Sequence, residues 1–447
     1  MGFEGLSQGK NSVLFGSDSD GVLYEKLSNT IHVGSRERLE GLQEKVECFS
    51  YEPTFEGDSL KQGATKNIGG LVLGVTERCN LRCSYCIYSG NYENERGHGS
   101  EDMDFDIARR AVDLYIPNSE QIAMISFYGG EPTLNMNLIK KVIKYTNESY
   151  PEKRTLFSMT SNFYRVETHL QDIINAGMNV LVSIDGPQEV HDRNRVSVGG
   201  NPTWENILRN IRRMEELSPG YTRGKITASV SCAEPCDVAE VVNYFRNSLL
   251  PVSRIGGIET RGLEKKMKDK LNQARADFSE EYLQTLIQGD DPDEVISLLF
   301  DQDVQGIQKR SSKTTPETLM LNGACYPGKR KVYIDIKGKL FMCEKFGDRL
   351  SIGDVFNGFD QEAIGESIDR FTEIRNRLCT NGCWAQRLCS PCIQTAKDPQ
   401  GDISEEGLSE HCKPTKQRLA RMVYVYATLA QQNPGKLKEH LEQVDFV

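Results

Sequence analysis

"LVLGVTERCNLRCSYCIY", residues 71–88, joins a short apolar run to three closely spaced cysteines. The run "LVLGVT" (71–76) has the length and composition of a buried strand. Cys79, Cys83 and Cys86 follow in the pattern C-x3-C-x2-C, in the loop at the C-terminal end of that strand. A structural zinc site wants four ligands in two close pairs. Here the next cysteine downstream is Cys232, and no histidine lies in the loop before His98. Three thiolates suit a 4Fe-4S cluster that leaves one iron open to a bidentate small molecule. A zinc site completed from elsewhere in the chain is the competing reading.

Outward from this junction, β-rich runs alternate with helical periodicity from residue 71 to 258, the signature of repeated βα units and a parallel sheet. The remaining strands are "IAMISF" (122–127), "TLFSMT" (155–160), "NVLVSI" (179–184), "ITASVS" (226–231) and "PVSRIGGI" (251–258). Between them, Leu138, Ile139, Val142 and Ile143 form one stripe over 136–146, and Ile207, Leu208, Ile211 and Met214 another over 204–217. Six units are too few to close an eight-stranded barrel, so the expectation is an open, partial one. In such architectures the C-terminal strand ends carry the active site. Conspicuous polar motifs sit at those ends: "YGGEP" (128–132), "TSN" (160–162) and "SIDGPQEVHDRNR" (183–195). A plain strand-to-helix turn at Pro132 and a simple Asp185-Gly186 turn are their structural alternatives.

The chain has 447 residues, enough for two or three domains. A formal net charge of -10 argues against a nucleic-acid partner held through its phosphates. No apolar run is long enough to span a bilayer, and the polar start "MGFEGLSQGKNS" lacks the build of a secretory signal. Leu6 stands where a myristoylation signal has Ser or Thr. These features predict a cytoplasmic protein without a membrane partner. Thirteen cysteines in such a chain point to metal rather than to disulfides.

The expected organisation is an N-terminal segment (1–66), the barrel (67–261), a helical bridge (262–320), a cysteine-rich α+β domain (321–415) and a C-terminal helix (416–447) with Leu419, Met422, Val423, Tyr426 and Leu429 on one face. "KVYIDIKGKLFMC" (331–343) reads as a hairpin turning at Lys337-Gly338. Seven cysteines fall between 325 and 412: Cys325, Cys343, Cys379, Cys383, Cys389, Cys392 and Cys412.

The C-x3-C-x2-C motif, with the aromatic Tyr85 before its last cysteine, resembles the radical S-adenosylmethionine (SAM) superfamily. The resemblance implies that the open iron binds the amino and carboxylate groups of SAM and that one electron releases a 5'-deoxyadenosyl radical. An electron donor such as flavodoxin or ferredoxin is implied with it. On the same basis Gly129, Gly130 and Glu131 receive the methionine amino group, Ser183 and Asp185 lie near the ribose, and Arg195 neutralises the SAM carboxylate. The later cysteines resemble the SPASM extension of peptide-modifying members, with Gly338 four residues before Cys343, although their block runs x3, x5, x2 instead of x2, x5, x3. Carried onto this chain, that resemblance gives Cys379, Cys383, Cys389 and Cys412 to a distal auxiliary cluster, and Cys325, Cys343 and Cys392 to a proximal one. Three 4Fe-4S clusters are thus implied, the proximal one lacking a protein ligand unless Cys232, Cys236, water or another group supplies it. Glu344 follows the second SPASM cysteine, where the sulfatase-maturing branch has an aspartate proposed as base. A carboxylate between anionic clusters is expected to have a raised pKa, and a surface residue, or one that only supports a cluster ligand, is the plainer alternative.

Because peptide-modifying members often carry a leader-peptide-binding module before the barrel, residues 1–66 are expected to form a partial or degenerate one, with packing against the barrel as the alternative. The function implied is a peptide maturase that abstracts hydrogen from a ribosomally made, cysteine-containing precursor and installs thioether crosslinks. The alternatives are formylglycine-forming sulfatase maturation, carbon-carbon crosslinking and, outside the class, a multi-cluster electron carrier or a zinc-binding regulator.

Overall fold

The computed structural model describes residues 6–19, 21–49, 54–90, 96–234, 237–248, 250–257, 265–310, 318–320, 325–347, 349–380 and 382–443. Cys236 and Ile258 lie outside them.

The N-terminal segment is a four-stranded antiparallel sheet in the order β1 (Ser7–Gln8), β2 (Ser12–Gly16), β3 (Gly21–Glu25), β4 (Thr30–Gly34). Alternation along β2 and β3 gives it two apolar faces. Leu14 and Leu23 pair across the strands and bury against Leu39 of α1 (Arg36–Glu47). Val13, Phe15, Val22 and Tyr24 point the other way, into the main core. A short β5 (Thr54–Glu56) and α2 (Asp58–Gly63) lead to the barrel.

The barrel follows the expected βα order. Its strands are β6 (Leu71–Thr76), β7 (Ala123–Gly129), β8 (Thr155–Ser161), β9 (Asn179–Ser183), β10 (Ile226–Cys232) and β11 (Val252–Gly257), all parallel and in sequential spatial order. Every residue of β6 is buried, as expected of a strand covered on both faces. The intervening helices are α3 (Phe105–Tyr115), α4 (Met136–Ser149), α5 (Leu170–Asn175), α6 (Gln188–Asn194), α7 (Trp204–Leu217), α8 (Tyr221–Lys225) and α9 (Val238–Arg246). The stripe read over 204–217 is α7 itself, with Ile207, Ile211 and Met214 buried. Asp104 caps α3 by accepting from the Asp106 N–H at 2.7 Å.

Beyond the barrel, α10 (Lys265–Gln288) and α11 (Glu294–Lys309) form the helical bridge, and Asp293 caps the second helix through the N–H groups of Val295 and Ile296. The bridge ends in a strand, β12 (Thr318–Met320), which pairs in parallel with β5. The hairpin read at Lys337-Gly338 is β13 (Val332–Ile334) and β14 (Lys339–Phe341). It extends the barrel: β13 lies parallel to β6, and β14, β15 (Ser351–Asp354) and β16 (Gly358–Phe359) continue one ten-stranded sheet. After α12 (Gln361–Arg375) comes the cysteine block, then α13 (Glu405–Gln432) and α14 (Pro434–Gln443). The C-terminal helix therefore begins at Glu405, not at 416, and carries Cys412 on its second turn.

The N-terminal segment docks on the cysteine block and α13. Tyr24 packs edge-on against Trp384 with ring centroids 6.0 Å apart, and Phe15 lies 6.5 Å from Tyr424. Arg387 Nη1 donates to the carbonyls of Lys26 and Leu27 at 3.1 and 3.0 Å. Packing chiefly against the barrel is not what these contacts describe.

Candidate functional site

The strand ends converge as the sequence expects. The loop after β6 presents Cys79, Cys83 and Cys86, each partly exposed and within electrostatic reach of its neighbours. Burial, with Glu131 and the neighbouring thiols adding to it, pushes Cys79 up to about 12. Burial also raises Cys83 and Cys86, Arg195 opposing in both cases. Such thiols stay protonated at neutral pH until a metal takes the proton's place. No disulfide links the described cysteines.

The two glycines of "YGGEP" hold this loop against β7. Gly129 has φ +130°, and a Cβ there would meet the Thr76 carbonyl oxygen at 2.3 Å; one on Gly130 would meet that of Arg78 at 2.2 Å. The close approach lets Gly130 N–H donate to Thr76 and Glu131 N–H to Arg78, both at 2.8 Å. Glu131 is buried. Its Oε1 accepts from Thr133 N–H, Thr133 Oγ1 and Ser161 Oγ at 3.2, 2.8 and 2.7 Å, whereas Oε2 accepts only from Asn162 N–H at 2.7 Å. Burial raises its pKa against these hydrogen bonds. Oε2 retains a lone pair for a further donor beside Cys79, which suits an ammonium group.

Asp185 organises the opposite wall. It accepts from Arg195 Nε and Nη2 at 2.9 and 3.1 Å, from Ser231 N–H at 3.0 Å, and from the Tyr85 hydroxyl. Arg195 Nη1 reaches Cys83 Sγ at 3.9 Å. The sequence expects Arg195 to meet a carboxylate of SAM; the carboxylate it meets here is Asp185. Ser183 ends β9, partly exposed and in register with Ser229. The same motif supplies a further buried residue, His191. Its Nδ1 accepts from Asp185 N–H at 3.3 Å, so Nε2 carries the proton toward Thr203 Oγ1 at 3.0 Å, and Thr203 donates to the Arg195 carbonyl at 2.6 Å. Burial, helped by Arg195, lowers His191 to about 4, so it stays neutral.

The later cysteines fall into two groups. Cys325, Cys343 and Cys392 interact with one another, and Arg330 and Lys331 lie beside Cys325. The Cys325–Cys392 pair shares a hydrogen bond: Cys325 is pulled down by Cys392 and by the two cations against its burial, and Cys392 is pushed up. Cys379, Cys383, Cys389 and Cys412 interact likewise. Burial pushes Cys379 up to about 11 and Cys389 up to about 12, and Arg375 opposes it in both. The guanidinium of Arg375 is fully buried, and among the described residues none of its nitrogens finds an oxygen acceptor, the Cys379 thiol being its hydrogen-bonding neighbour. All-thiol donor sets beside cations fit anionic iron–sulfur clusters. Among the described residues, no three His, Cys, Asp or Glu side chains converge on a single ion. Cys232 donates to the Glu234 carbonyl at 3.1 Å.

Tyr128 lies within electrostatic reach of Cys86, Tyr333 and Glu344, between the first thiol group and the neighbourhood of Cys343. Arg96 stacks over Tyr333 at 4.1 Å and donates to the Glu344 carbonyl at 2.5 Å. A cavity of about 240 Å³ opens between the barrel edge at Thr76 and Gly130 and the hairpin turn at Asp335 and Lys337. Glu344 departs from expectation. Burial alone would raise it, but Lys331, with Nζ 2.6 Å from Oε2, brings its pKa below the usual carboxylate value.

Residues 73–227 match the family model described as the Radical SAM superfamily. This segment is a radical SAM domain. Membership of that superfamily implies a 4Fe-4S cluster and SAM. Over 142 residues the chain is 36% identical to an uncharacterised protein of Methanocaldococcus jannaschii, covering 32% of this chain and 46% of that one. It is 24% identical over 159 residues to the cysteine-type anaerobic sulfatase-maturating enzyme of Clostridium novyi, covering 35% and 42%. A match to the GTP 3',8-cyclase of Tolumonas auensis is 33% identical over 127 residues, covering 28% and 35%. The chain thus spans less than half the length of these curated relatives. Among solved structures, native anSMEcpe with bound AdoMet superposes with a TM-score of 0.58 at 16% identity, covering 84% of this chain and 100% of that one. Its peptide-bound form gives 0.57 at 17% identity, covering 84% and 99%. At these identities the likeness is one of fold, and it extends past the radical SAM segment into the cysteine-rich region. Among the described residues no helix is long and apolar enough to cross a membrane.

Proposed function

We propose that the protein is a radical SAM peptide maturase that removes hydrogen from a residue of a cysteine-containing precursor peptide and joins cysteine sulfur to the resulting carbon as a thioether. The observation that carries this reading is the pair of additional thiol groups, one of three and one of four cysteines, folded against the radical SAM domain. Bound at these groups, iron–sulfur clusters would supply one-electron chemistry. Cys79, Cys83 and Cys86 would hold the SAM-binding cluster; Cys379, Cys383, Cys389 and Cys412 the distal auxiliary cluster; Cys325, Cys343 and Cys392 the proximal one. The trio leaves a coordination position that a peptide thiolate suits, since thiolate is the ligand these clusters prefer.

The chain's own residues have separable tasks. Glu131, through Oε2, would take the methionine ammonium, and the Asp185–Arg195 pair would fix the wall opposite it and orient Tyr85. Tyr88, Tyr128, Tyr333 and Arg96 would shield the space between the first and proximal thiol groups from water. The cavity there admits a side chain, not a folded partner.

A second reading, formylglycine formation, is supported by the likeness to sulfatase-maturating enzymes. The ion pair between Lys331 and Glu344 disfavours Glu344 as the proton acceptor that chemistry would ask of it. Anaerobic turnover with SAM, a reductant such as flavodoxin or ferredoxin and cysteine-containing peptides separates the two. A thioether product has lost two hydrogens per crosslink with its sulfur retained; a cysteine-derived formylglycine has exchanged sulfur for oxygen. Product of the second kind alone would replace the first reading with the second.

A further inference from the structure

Helix α12 buries Ile364, Ile368, Phe371 and Ile374 along one stripe, and Arg375 completes it four residues after Phe371. An arginine in that position is costly. Its guanidinium is always charged, and a buried cation is tolerated only with a compensating partner. Among the described residues, no carboxylate is paired with Arg375 and none of its three nitrogens finds an oxygen acceptor; its hydrogen-bonding neighbour is the Cys379 thiol. One face is covered by the ring of Phe55, 4.1 Å from the guanidinium carbon. The charged or polarisable groups within its reach are the thiols of Cys379, Cys389 and Cys412.

The surroundings keep the side chain there. Asn376 clamps the Phe55 backbone, accepting from its N–H at 2.6 Å and donating to its carbonyl at 3.1 Å. The chain then enters a π-helical turn, Asn376–Thr380, that carries Cys379. Two independent observations therefore meet at one place: a cation buried without an anion, and four cysteines gathered without a bond among them.

We infer that Arg375 is the buried counter-charge of the distal four-cysteine group, holding an anionic iron–sulfur cluster there and raising that cluster's affinity for an electron. The inference rests on the reading of Cys379, Cys383, Cys389 and Cys412 as cluster ligands. Net charge and hydrogen bonds to sulfur are among the factors that set such a cluster's potential. A fully buried guanidinium acts on both, because its charge is weakly screened there and it hydrogen-bonds the Cys379 sulfur. An electron leaving the substrate would then find in this cluster a better acceptor than it would be without the charge.

The test uses the full chain, reconstituted anaerobically as wild type, Arg375→Lys and Arg375→Met. The distal cluster is identified as the reduced-state electron-paramagnetic-resonance signal that Cys412→Ala removes. In Arg375→Met that signal is expected to titrate at a potential lower by at least a tenfold change in electron affinity, about 59 mV, or to vanish with roughly four irons per chain. Arg375→Lys keeps the charge and is expected to shift less and to keep its iron. Wild-type iron and potential in Arg375→Met would overturn the inference, as would equal effects of the two substitutions. If the wild type shows no signal that Cys412→Ala removes, the cluster reading itself has failed, a result distinct from an unshifted potential. Should loaded Arg375→Met not fold, urea unfolding of the metal-free proteins decides. An uncompensated cation predicts metal-free Arg375→Met to be at least as stable as metal-free wild type, and a lower stability overturns the inference.

Discussion

Glu131 and His191 show how single side chains can be read from their partners. Glu131 Oε1 is saturated by Thr133 and Ser161, and Oε2 accepts only from Asn162. Glu131→Gln removes the charge and turns an amide group toward donors it cannot satisfy. SAM binding, measured by equilibrium dialysis, is expected to weaken tenfold or more, about 1.4 kcal/mol; unchanged binding would remove Glu131 from the site. His191 is neutral in the fold, with its pKa lowered from 6.5 to about 4 by burial. Between those values the unfolded chain binds the extra proton and the folded one does not. Stability is therefore fully present above pH 6.5 and is lost as pH falls toward 4, by up to roughly 3 kcal/mol. Urea unfolding of metal-free protein across this window is expected to show the slope, and His191→Gln to lessen it. His191 was legible only as part of a motif, because its role depends on Thr203 and the Arg195 carbonyl, which no spacing rule joins. Arg375 left a plainer signal: a charge on the apolar stripe of α12, four residues before a cysteine.

Among elements, the barrel strands were the most legible, since a strand covered on both faces must read as an apolar run, as "LVLGVT" does. Helix α7 matched its stripe because a strong 3.6-residue period admits few alternatives. The junction of β7 with the cysteine loop rests on Gly130, whose added Cβ would lie 2.2 Å from a backbone oxygen that cannot swing aside. Gly130→Ala is expected to cost 2 kcal/mol or more, about the upper range for a core clash, and to lower cluster content at Cys79, Cys83 and Cys86. Iron analysis together with thermal unfolding checks both. Less legible was the pairing of β12 with β5, which joins segments far apart in sequence and leaves no local periodicity. Nor did the hairpin pattern reveal that β13 would add itself to β6 and extend the barrel sheet.

For the molecule as a whole, the grouping of seven cysteines into three and four depended on contacts between the hairpin, the π-helical turn and α13, which spacing alone does not specify. The seat of the N-terminal sheet on the cysteine block was likewise invisible. It arises from Tyr24 against Trp384 and from the Arg387 guanidinium capping the carbonyls of Lys26 and Leu27. Arg387→Ala leaves two carbonyls without that donor and is expected to cost about 1–3 kcal/mol and to raise protease sensitivity near residues 26–27, leaving the barrel protected. Limited proteolysis followed by mass measurement would detect the difference. The central claim is that Cys79, Cys83 and Cys86 hold the iron site at which SAM is reductively cleaved. Its most direct measurement is 5'-deoxyadenosine formed by the anaerobically loaded, reduced chain, beside the variant with all three cysteines replaced by Ala. The account predicts deoxyadenosine from the first and none above background from the second; equal production by both, or none from a fully loaded wild type, would contradict it.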